Sequence, residues 1–374
     1  MRRFGLFLVA LLAAPLFAQS PLNDDSSAAN LTAAPDGSPL LSWLQESKEG
    51  DSTSLQYSVM KGGRWSPART IAAKRPFFHH PAELPEIVSL SSGTLLAHWI
   101  ETPEGGDDAE FIYVSASKDG VKWSTPAVAH KDRGMVQHGL AAMVATGPAE
   151  ASLVWLQALK GETGPVSLMR SVINGDGAMV KEETLDTDVC NCCPTTIVKT
   201  ARGLLVAYRD HTPADIRDIA TVRFEGGKWL PSKIIFADNW KINACPINAA
   251  SAAASGDQVA VAWYTAADEK ARVEMAFSKD GGATFGKPAL VSTGQAYGYS
   301  SVVLNDGGGA TVSWLERGGG DSRVLVRRVS ADGTLGPVTE VAKGDRHNLG
   351  YPKLLRAGQD TWIVAGAKVT QLSK

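Results

Sequence analysis

Cysteines are the residues of this sequence whose chemistry is easiest to define. Three of the four lie close together, at Cys190, Cys192 and Cys193, and the fourth is Cys245. In an oxidising compartment four cysteines most simply form two disulfides. Thiolates with histidines nearby are also ligands for soft metals such as copper, although the spacing matches no zinc-finger pattern. Disulfides are therefore the first interpretation, and a metal-thiolate site is the alternative.

Two arginine-aspartate pairs flank one short polar segment. They are Arg209-Asp210 and Arg217-Asp218. A guanidinium group held in place can bind a carboxylate or a sugar through two hydrogen bonds. The alternative is a network of ion pairs that only braces the loop.

Further polar residues could line the same site. The candidate catalytic residues are Arg209, Asp210, Arg217, Asp218, Tyr299 and Glu316. The candidate ligand-binding residues are His79, His80, Glu101, His138, His211, Arg346 and Tyr351, with His130, His347, Asp215 and Tyr297 close to them in the chain.

These candidates must be positioned by a repeated element. Seven short apolar segments each carry an aromatic residue near the end, and successive aromatics are 48 to 56 positions apart. The aromatics are Trp43, Trp99, Trp155, Tyr208, Trp263, Trp314 and Trp362. A period of this length is typical of propellers and solenoids.

Each segment is preceded by another short strand, and the first six are followed by an alternating strand and a Gly-rich turn. We therefore predict an all-β propeller of four-stranded antiparallel blades, with strands A to D in each blade and negligible helix. The count favours seven blades, with the N-terminal segment completing the last sheet, and six is the alternative.

The turns between strands C and D carry a motif. One copy contains Ser278, Asp280, Gly282 and Phe285, and a copy shorter by one residue contains Ser117, Asp119, Gly120 and Trp123. The pattern resembles the Asp box, or BNR repeat, of the sialidase-like propeller superfamily, over roughly residues 30 to 370. The segments 190–194 and 240–246 are also similar to those of exported bacterial sialidase-like proteins of uncertain activity.

The resemblance implies a glycan-related function. Sialidases use three arginines, an acid-base aspartate and a tyrosine nucleophile assisted by a glutamate. Their arginine-isoleucine-proline signature is absent here, and the comparable stretch, residues 84–97, contains no arginine. We therefore expect a glycan- or ligand-binding envelope protein without classical sialidase activity. The alternatives are an exo-acting glycoside hydrolase with Arg209, Arg217 and Tyr299 in analogous roles, and a metal-binding propeller.

Propeller geometry sorts these residues by face. Connections D–A and B–C emerge on one face, which we call the upper face, and the Asp boxes lie on the opposite face. Every histidine except His98 is expected on the upper face, which is where a rigid scaffold normally builds its sites. Consecutive D–A loops are neighbours, so Cys245 should bridge to Cys192 or Cys193, leaving the other to pair with Cys190 or remain free.

The N-terminal segment predicts where the protein is located, and the net charge bears on its partners. A basic start, an apolar run at residues 4–17 and the small residue Ala18 predict a signal peptide over residues 1–18, followed by a single domain at 19–374. The mature protein is expected to be secreted or periplasmic, with no membrane span. A net charge of −2 without a basic run argues against nucleic acid as a partner. No cofactor is expected, and a metal is left open.

Overall fold

The computed structural model describes residues 20–106, 109–159 and 165–373, and these form seven antiparallel sheets arranged as blades. The predicted all-β propeller and its seven blades are confirmed. The predicted signal peptide, residues 1–18, lies outside the described residues. Among the residues that are described, no helix is both long and apolar enough to cross a bilayer.

The first four blades follow the chain in order. Blade 1 contains β1 (Ser26–Ala33), β2 (Pro39–Glu46), β3 (Thr53–Lys61), β4 (Arg64–Trp65) and β5 (Arg69–Ala73). Blade 2 contains β6 (Glu86–Ser89), β7 (Leu95–Glu101), β8 (Phe111–Ser117) and β9 (Ala127–Val128). Blade 3 contains β10 (His138–Ala145), β11 (Glu150–Ala158), β12 (Val166–Asn174) and β13 (Met179–Asp186). Blade 4 contains β14 (Thr196–Thr200), β15 (Gly203–Arg209), β16 (Ile219–Glu225), β17 (Lys228–Trp229) and β18 (Lys233–Ile234).

Helix is limited to single turns in the remaining blades. Blade 5 contains β19 (Ser251–Ser255), β20 (Gln258–Thr265), β21 (Arg272–Ser278) and β22 (Ala289–Leu290). Blade 6 contains β23 (Ala296–Leu304), β24 (Ala310–Arg317), β25 (Ser322–Val329) and β26 (Leu335–Gly344). Blade 7 contains β27 (Lys353–Ala357), β28 (Asp360–Ala365) and β29 (Lys368–Leu372). The helical turns are 3-10 turns at Ala267–Glu269 and Asp306–Gly308 and the helix α1 (Arg346–Leu349).

The second strand of each blade carries the repeated aromatic. Trp99, Trp155, Trp263 and Trp314 are at most 2% exposed, as expected. Each packs against the preceding blade; Trp155 of blade 3, for example, shares a cluster with Leu96 and Ile112 of blade 2. The period of the sequence is therefore the period at which one blade seals against the next.

Ring closure differs from the expectation. Strand β1 forms hydrogen bonds with β2, so it is strand A of blade 1 and does not complete blade 7, which has three strands among the described residues. Closure occurs through side chains. Leu31 and Trp43 of blade 1 pack with Trp362 and Val364 of blade 7 in one apolar cluster. Apolar burial between sheets therefore joins the two ends of the described chain.

The Asp boxes are closed by their own hydrogen bonds. Ser278 Oγ donates to Asp280 at 2.7 Å, and Thr284 Oγ1 donates to the same carboxylate at 2.6 Å. In the shorter copy, Asp119 accepts from the backbone of Val121 and Lys122, both at 2.8 Å. These boxes lie at the C–D turns, on the face opposite the D–A loops, as predicted.

The box aromatics and the shorter box's glycine reach the preceding blade. Phe285 packs on an apolar cluster that includes Leu205 of blade 4, and Trp123 lies edge-on to Tyr57 of blade 1 at 5.9 Å. The carbonyl of Gly120 accepts a hydrogen bond from Arg69 at 3.0 Å. The boxes therefore fasten neighbouring blades to each other.

Gly282 provides a test of this fastening. Its φ is +83°, and a Cβ there would lie 2.0 Å from Leu205 Cδ1. Gly282→Ala is expected to lower the free energy of unfolding by about 2 to 3 kcal/mol, since left-handed strain and overpacking add. Gly63→Ala, with φ +76° and open space around the added methyl group, should show only the strain, about 1 kcal/mol. Equal losses in urea unfolding of the two variants would contradict the blade contact.

Candidate functional site

The upper face contains a cleft of about 340 Å³ between blades 5 and 6. Its walls come from the D–A loops after blades 4 and 6 and from the ends of strands β20, β23 and β24. We call it the aromatic cleft and define it by Trp240, Tyr264, Tyr297, Tyr299, Arg317 and Arg346.

Two arginines meet at one ring of the cleft. The Cζ atoms of Arg317 and Arg346 lie 5.0 and 5.1 Å from the centroid of Tyr297. Neither guanidinium forms an ion pair with a carboxylate in the described part of the chain. Arg317 is exposed and Arg346 is half-buried. Their donors are therefore available to an anionic group in the cleft.

The remaining aromatics form the walls. Trp240 and Tyr264 meet edge to face at 5.5 Å. Tyr299 stacks on Tyr351 at 4.1 Å, and Tyr351 is almost fully buried with its hydroxyl bonded to the carbonyl of Ile247. Tyr351, a predicted ligand-binding residue, thus supports Tyr299 from below.

Tyr299 has a left-handed backbone, with φ +51°. A bulge in β23 produces it, and Asn248 holds the bulge by accepting from Tyr299 N at 2.8 Å and donating to the Tyr297 carbonyl at 3.1 Å. Equivalent bulges place Ala28 and Leu140 at similar φ in blades 1 and 3. The bulge therefore belongs to the fold, and blade 6 uses it to present a tyrosine.

The cleft offers binding groups but no acid. Among the described residues that line it there is no aspartate or glutamate. Burial raises the pKa of Tyr299, which disfavours the phenolate form. Glu316, a predicted catalytic residue, instead accepts from Trp314 Nε1 at 2.9 Å and Gly294 N at 3.0 Å. This carboxylate therefore holds a loop in place.

The predicted arginine-aspartate pairs lie beneath the surface. Arg209 is 2% exposed and donates to the carbonyls of Arg217 and Tyr264, both at 2.8 Å. Asp218 accepts from the backbone N–H groups of Asn239 at 2.9 Å and Trp240 at 3.0 Å. These groups hold the loop that carries Trp240, and the guanidinium of Arg209 lies 4.9 Å from the Trp240 ring.

Arg217 and Asp210 were also predicted at a ligand site, and each has protein groups around it instead. Arg217 Nη1 donates to Cys190 Sγ at 3.3 Å. Burial, with Asp186 and Asp188 nearby, raises the pKa of Asp210 to about 6. Neither arginine forms an ion pair with its neighbouring aspartate, as the alternative interpretation required, and the loop is braced mainly through backbone carbonyls.

The histidines predicted for the upper face do not converge on one place. His79, His80 and His347 line a separate cavity of about 570 Å³ between blades 1 and 7. His130 and His138 are buried and stacked at 3.9 Å.

His211 and Glu101 have partners of their own. His211 contacts Asp188 at 2.7 Å and Asp215 at 3.4 Å. Glu101 accepts from Trp99 Nε1 at 2.5 Å and pairs with Arg75. His98 lies inside β7, as expected from the sequence. The ligand-binding candidates therefore do not form one cluster.

The expected link between neighbouring D–A loops is present. Cys192 and Cys245 form a disulfide with Cα atoms 5.8 Å apart, and Cys190 and Cys193 are free. With Cys192 in the disulfide, only two thiols remain as metal donors, beside the guanidinium of Arg217. Two thiol donors beside a positively charged guanidinium favour the interpretation as a pair of free thiols over a site for a metal cation.

Sequence reasoning missed Tyr264, Arg317 and Asn248 as site residues. Arg317 directly follows Glu316, a predicted catalytic residue, at the end of its strand. Trp240, another residue of the cleft, belongs to the segment 240–246 that resembles other sialidase-like proteins. Their convergence depends on loops from three blades, which no local motif specifies.

The chain matches a known family of proteins. The family model described as a BNR repeat-like domain matches residues 37–312. No curated protein sequence matches this chain.

Similar solved structures are propellers of low identity. A protein of unknown function from Dyadobacter fermentans is 13% identical, with a TM-score of 0.52, over 95% of each chain. The GH93 α-L-arabinofuranosidase of Fusarium graminearum in complex with arabinobiose is 15% identical, with a TM-score of 0.51, over 95% of this chain and 94% of that chain. The α-L-arabinanase of Penicillium chrysogenum with arabinobiose is 12% identical, with a TM-score of 0.50, over 95% of this chain and 96% of that one.

Proposed function

Since this chain belongs to the BNR repeat-like domain family, we propose that it is an exported propeller that binds an acidic saccharide in the aromatic cleft without hydrolysing it. The observation that carries the proposal is the pair of arginines, Arg317 and Arg346, at Tyr297 in a cleft whose described lining contains no carboxylate.

Each group has a role in binding. Aromatic faces supply flat apolar surface, on which the C–H face of a sugar ring can pack. Guanidinium groups without a protein carboxylate favour an anionic substituent, because they bind carboxylates through paired hydrogen bonds. Two structurally similar enzymes have been solved with arabinobiose, which supports a saccharide as the ligand class.

Hydrolysis is disfavoured by what surrounds the candidate residues. A glycosidase requires an acid and a nucleophile or base at the scissile bond. In the cleft the phenol of Tyr299 has a raised pKa, and Glu316 is engaged with backbone and indole donors. The proposal is therefore for a binding protein.

Calorimetric titration with sialyllactose, oligogalacturonate and neutral lactose tests the proposal. We expect an acidic saccharide to bind and lactose to bind more weakly. Arg317→Ala and Arg346→Ala should each weaken binding about tenfold or more, since a hydrogen bond to a charged group contributes about 1.5 to 3 kcal/mol.

Arg64→Ala is the matched control, because Arg64 is exposed at a C–D turn on the opposite face. Equal binding by all three arginine variants would contradict the assigned cleft. Enzymatic release of sialic acid or arabinose that is lost in Tyr299→Phe would instead support the hydrolase.

Export gives a second prediction. The basic start and apolar run of the N-terminal segment support cleavage near Ala18. Mass spectrometry of protein recovered from the periplasm or medium should find a new N-terminus close to Gln19. Recovery of exported protein that retains Met1 would refute it.

A further inference from the structure

The proposed function gives no role to the four cysteines. The Cys192–Cys245 disulfide joins two D–A loops at the upper face, where Cys245 is exposed and Cys192 is half-buried. Directly behind it lie the free thiols of Cys190 and Cys193, each 1% exposed. A dithiol buried behind a surface disulfide is an arrangement suited to exchange.

The sulfur positions are compatible with two successive transfers. Cys190 Sγ lies 3.9 Å from Cys192 Sγ and 3.6 Å from Cys193 Sγ. The three Sγ atoms all lie within 4.8 Å of one another, so Cys190 is close to contact with both a disulfide sulfur and a second thiol. All three of these cysteines belong to one D–A loop, so the transfers require rearrangement within that loop and not of a blade.

The surroundings distinguish the two thiols. Arg217 Nη1 donates to Cys190 Sγ at 3.3 Å. The hydrogen bond with Cys193, together with the charges of Arg209 and Arg217, lowers the pKa of Cys190, whereas burial raises that of Cys193. Because the thiolate is the attacking species in exchange, Cys190 is the nucleophile and Cys193 the resolving thiol.

We propose that these four cysteines form an internal thiol–disulfide exchange site. The Cys190 thiolate attacks Cys192 Sγ, so a Cys190–Cys192 bond forms, the Cys192–Cys245 bond breaks, and Cys245 leaves as a thiolate that takes a proton from water. Cys193 then loses its proton to water and attacks Cys190 Sγ, which forms Cys190–Cys193 and releases the Cys192 thiolate. Each state contains one disulfide and two thiol groups, so no external oxidant or reductant is consumed.

Exchange would change the upper face. Release of Cys245 frees the segment that carries Ile242 and Pro246, which line the aromatic cleft beside Trp240. This consequence rests on the proposed function, whereas the exchange itself does not. The D–A loop after blade 4 would thus be tied down in one state and untied in the other.

The first transfer, from Cys192–Cys245 to Cys190–Cys192, is tested by alkylating the Cys193→Ser variant under native conditions. The protein, purified without reductant, is treated with N-ethylmaleimide, quenched in acid and mapped by peptide mass spectrometry. We expect Cys245 to become alkylated over time while a Cys190–Cys192 linkage accumulates, because the exposed leaving thiol is trapped. An intact Cys192–Cys245 disulfide after prolonged treatment, or a Cys190–Cys245 linkage, would overturn the proposal.

Cys190→Ser is the matched control, because it removes the nucleophile and keeps the other three cysteines. Its Cys245 should stay linked and unalkylated, and alkylation there would overturn the assignment of Cys190. Cys193→Ala repeats the test if the serine variant does not fold, as judged by its β-sheet circular dichroism. The readout is a linkage map, so it is independent of whether any saccharide binds.

Discussion

Replacing Trp263 with alanine is expected to lower the free energy of unfolding by about 3 to 5 kcal/mol, the usual cost of removing a large buried aromatic side chain. The indole is 1% exposed and packs with Leu205 and Ile219 of blade 4. Its Nε1 also donates to Asp238 at 2.9 Å. The variant loses apolar contact between two blades and removes the indole donor of Asp238, whose carboxylate then keeps Arg272 at 3.5 Å as a partner.

Urea unfolding followed by circular dichroism measures this loss. Phe236→Ala is the matched control, since that ring is 43% exposed, and a surface substitution should change stability by less than about 0.5 kcal/mol. If the two variants unfold at the same midpoint, the packing of blade 5 on blade 4 is wrong.

Replacing Cys245 with serine is expected to lower the free energy of unfolding by about 4 kcal/mol, since the bridge closes a loop with a sequence separation of 53. The physical reason is the larger conformational freedom of the unfolded chain without the bridge. The D–A loop after blade 4 also loses its covalent link to the loop before blade 4.

The neighbouring substitution Ala244→Ser serves as its control, because it changes an exposed residue in the same loop and keeps the Cys192–Cys245 disulfide. Denaturant unfolding without reductant should separate the two variants clearly. An unfolding midpoint for Cys245→Ser that matches the control would mean that the disulfide does not contribute to the folded protein.

Residues in the loops and at the strand ends of the upper face were predicted less well than the strands themselves. The sequence placed Arg209 and Arg217 at a ligand site, but Arg209 supports the loop of Trp240 and Arg217 donates to Cys190. Burial of a loop residue depends on which neighbouring loop folds over it. Here the loop that carries Asn248 and Cys245 lies over the end of β15, and no feature near Arg209 in the chain indicates this.

The sequence by itself determined the all-β blades and the Asp boxes, and it favoured seven blades over six and a disulfide between Cys245 and the cysteine cluster over a metal site. These follow from strand alternation, turn chemistry and a repeat length, which act over a few residues or one period. Only the tertiary structure decided that β1 belongs to blade 1, that Arg317 and Arg346 meet at Tyr297, and that the sulfur atoms of Cys190, Cys192 and Cys193 all lie within 4.8 Å of one another. Tyr297, Arg317 and Arg346, for example, belong to blade 6 and the loop after it but are separated by up to 49 positions in the chain, so no local pattern relates their side chains.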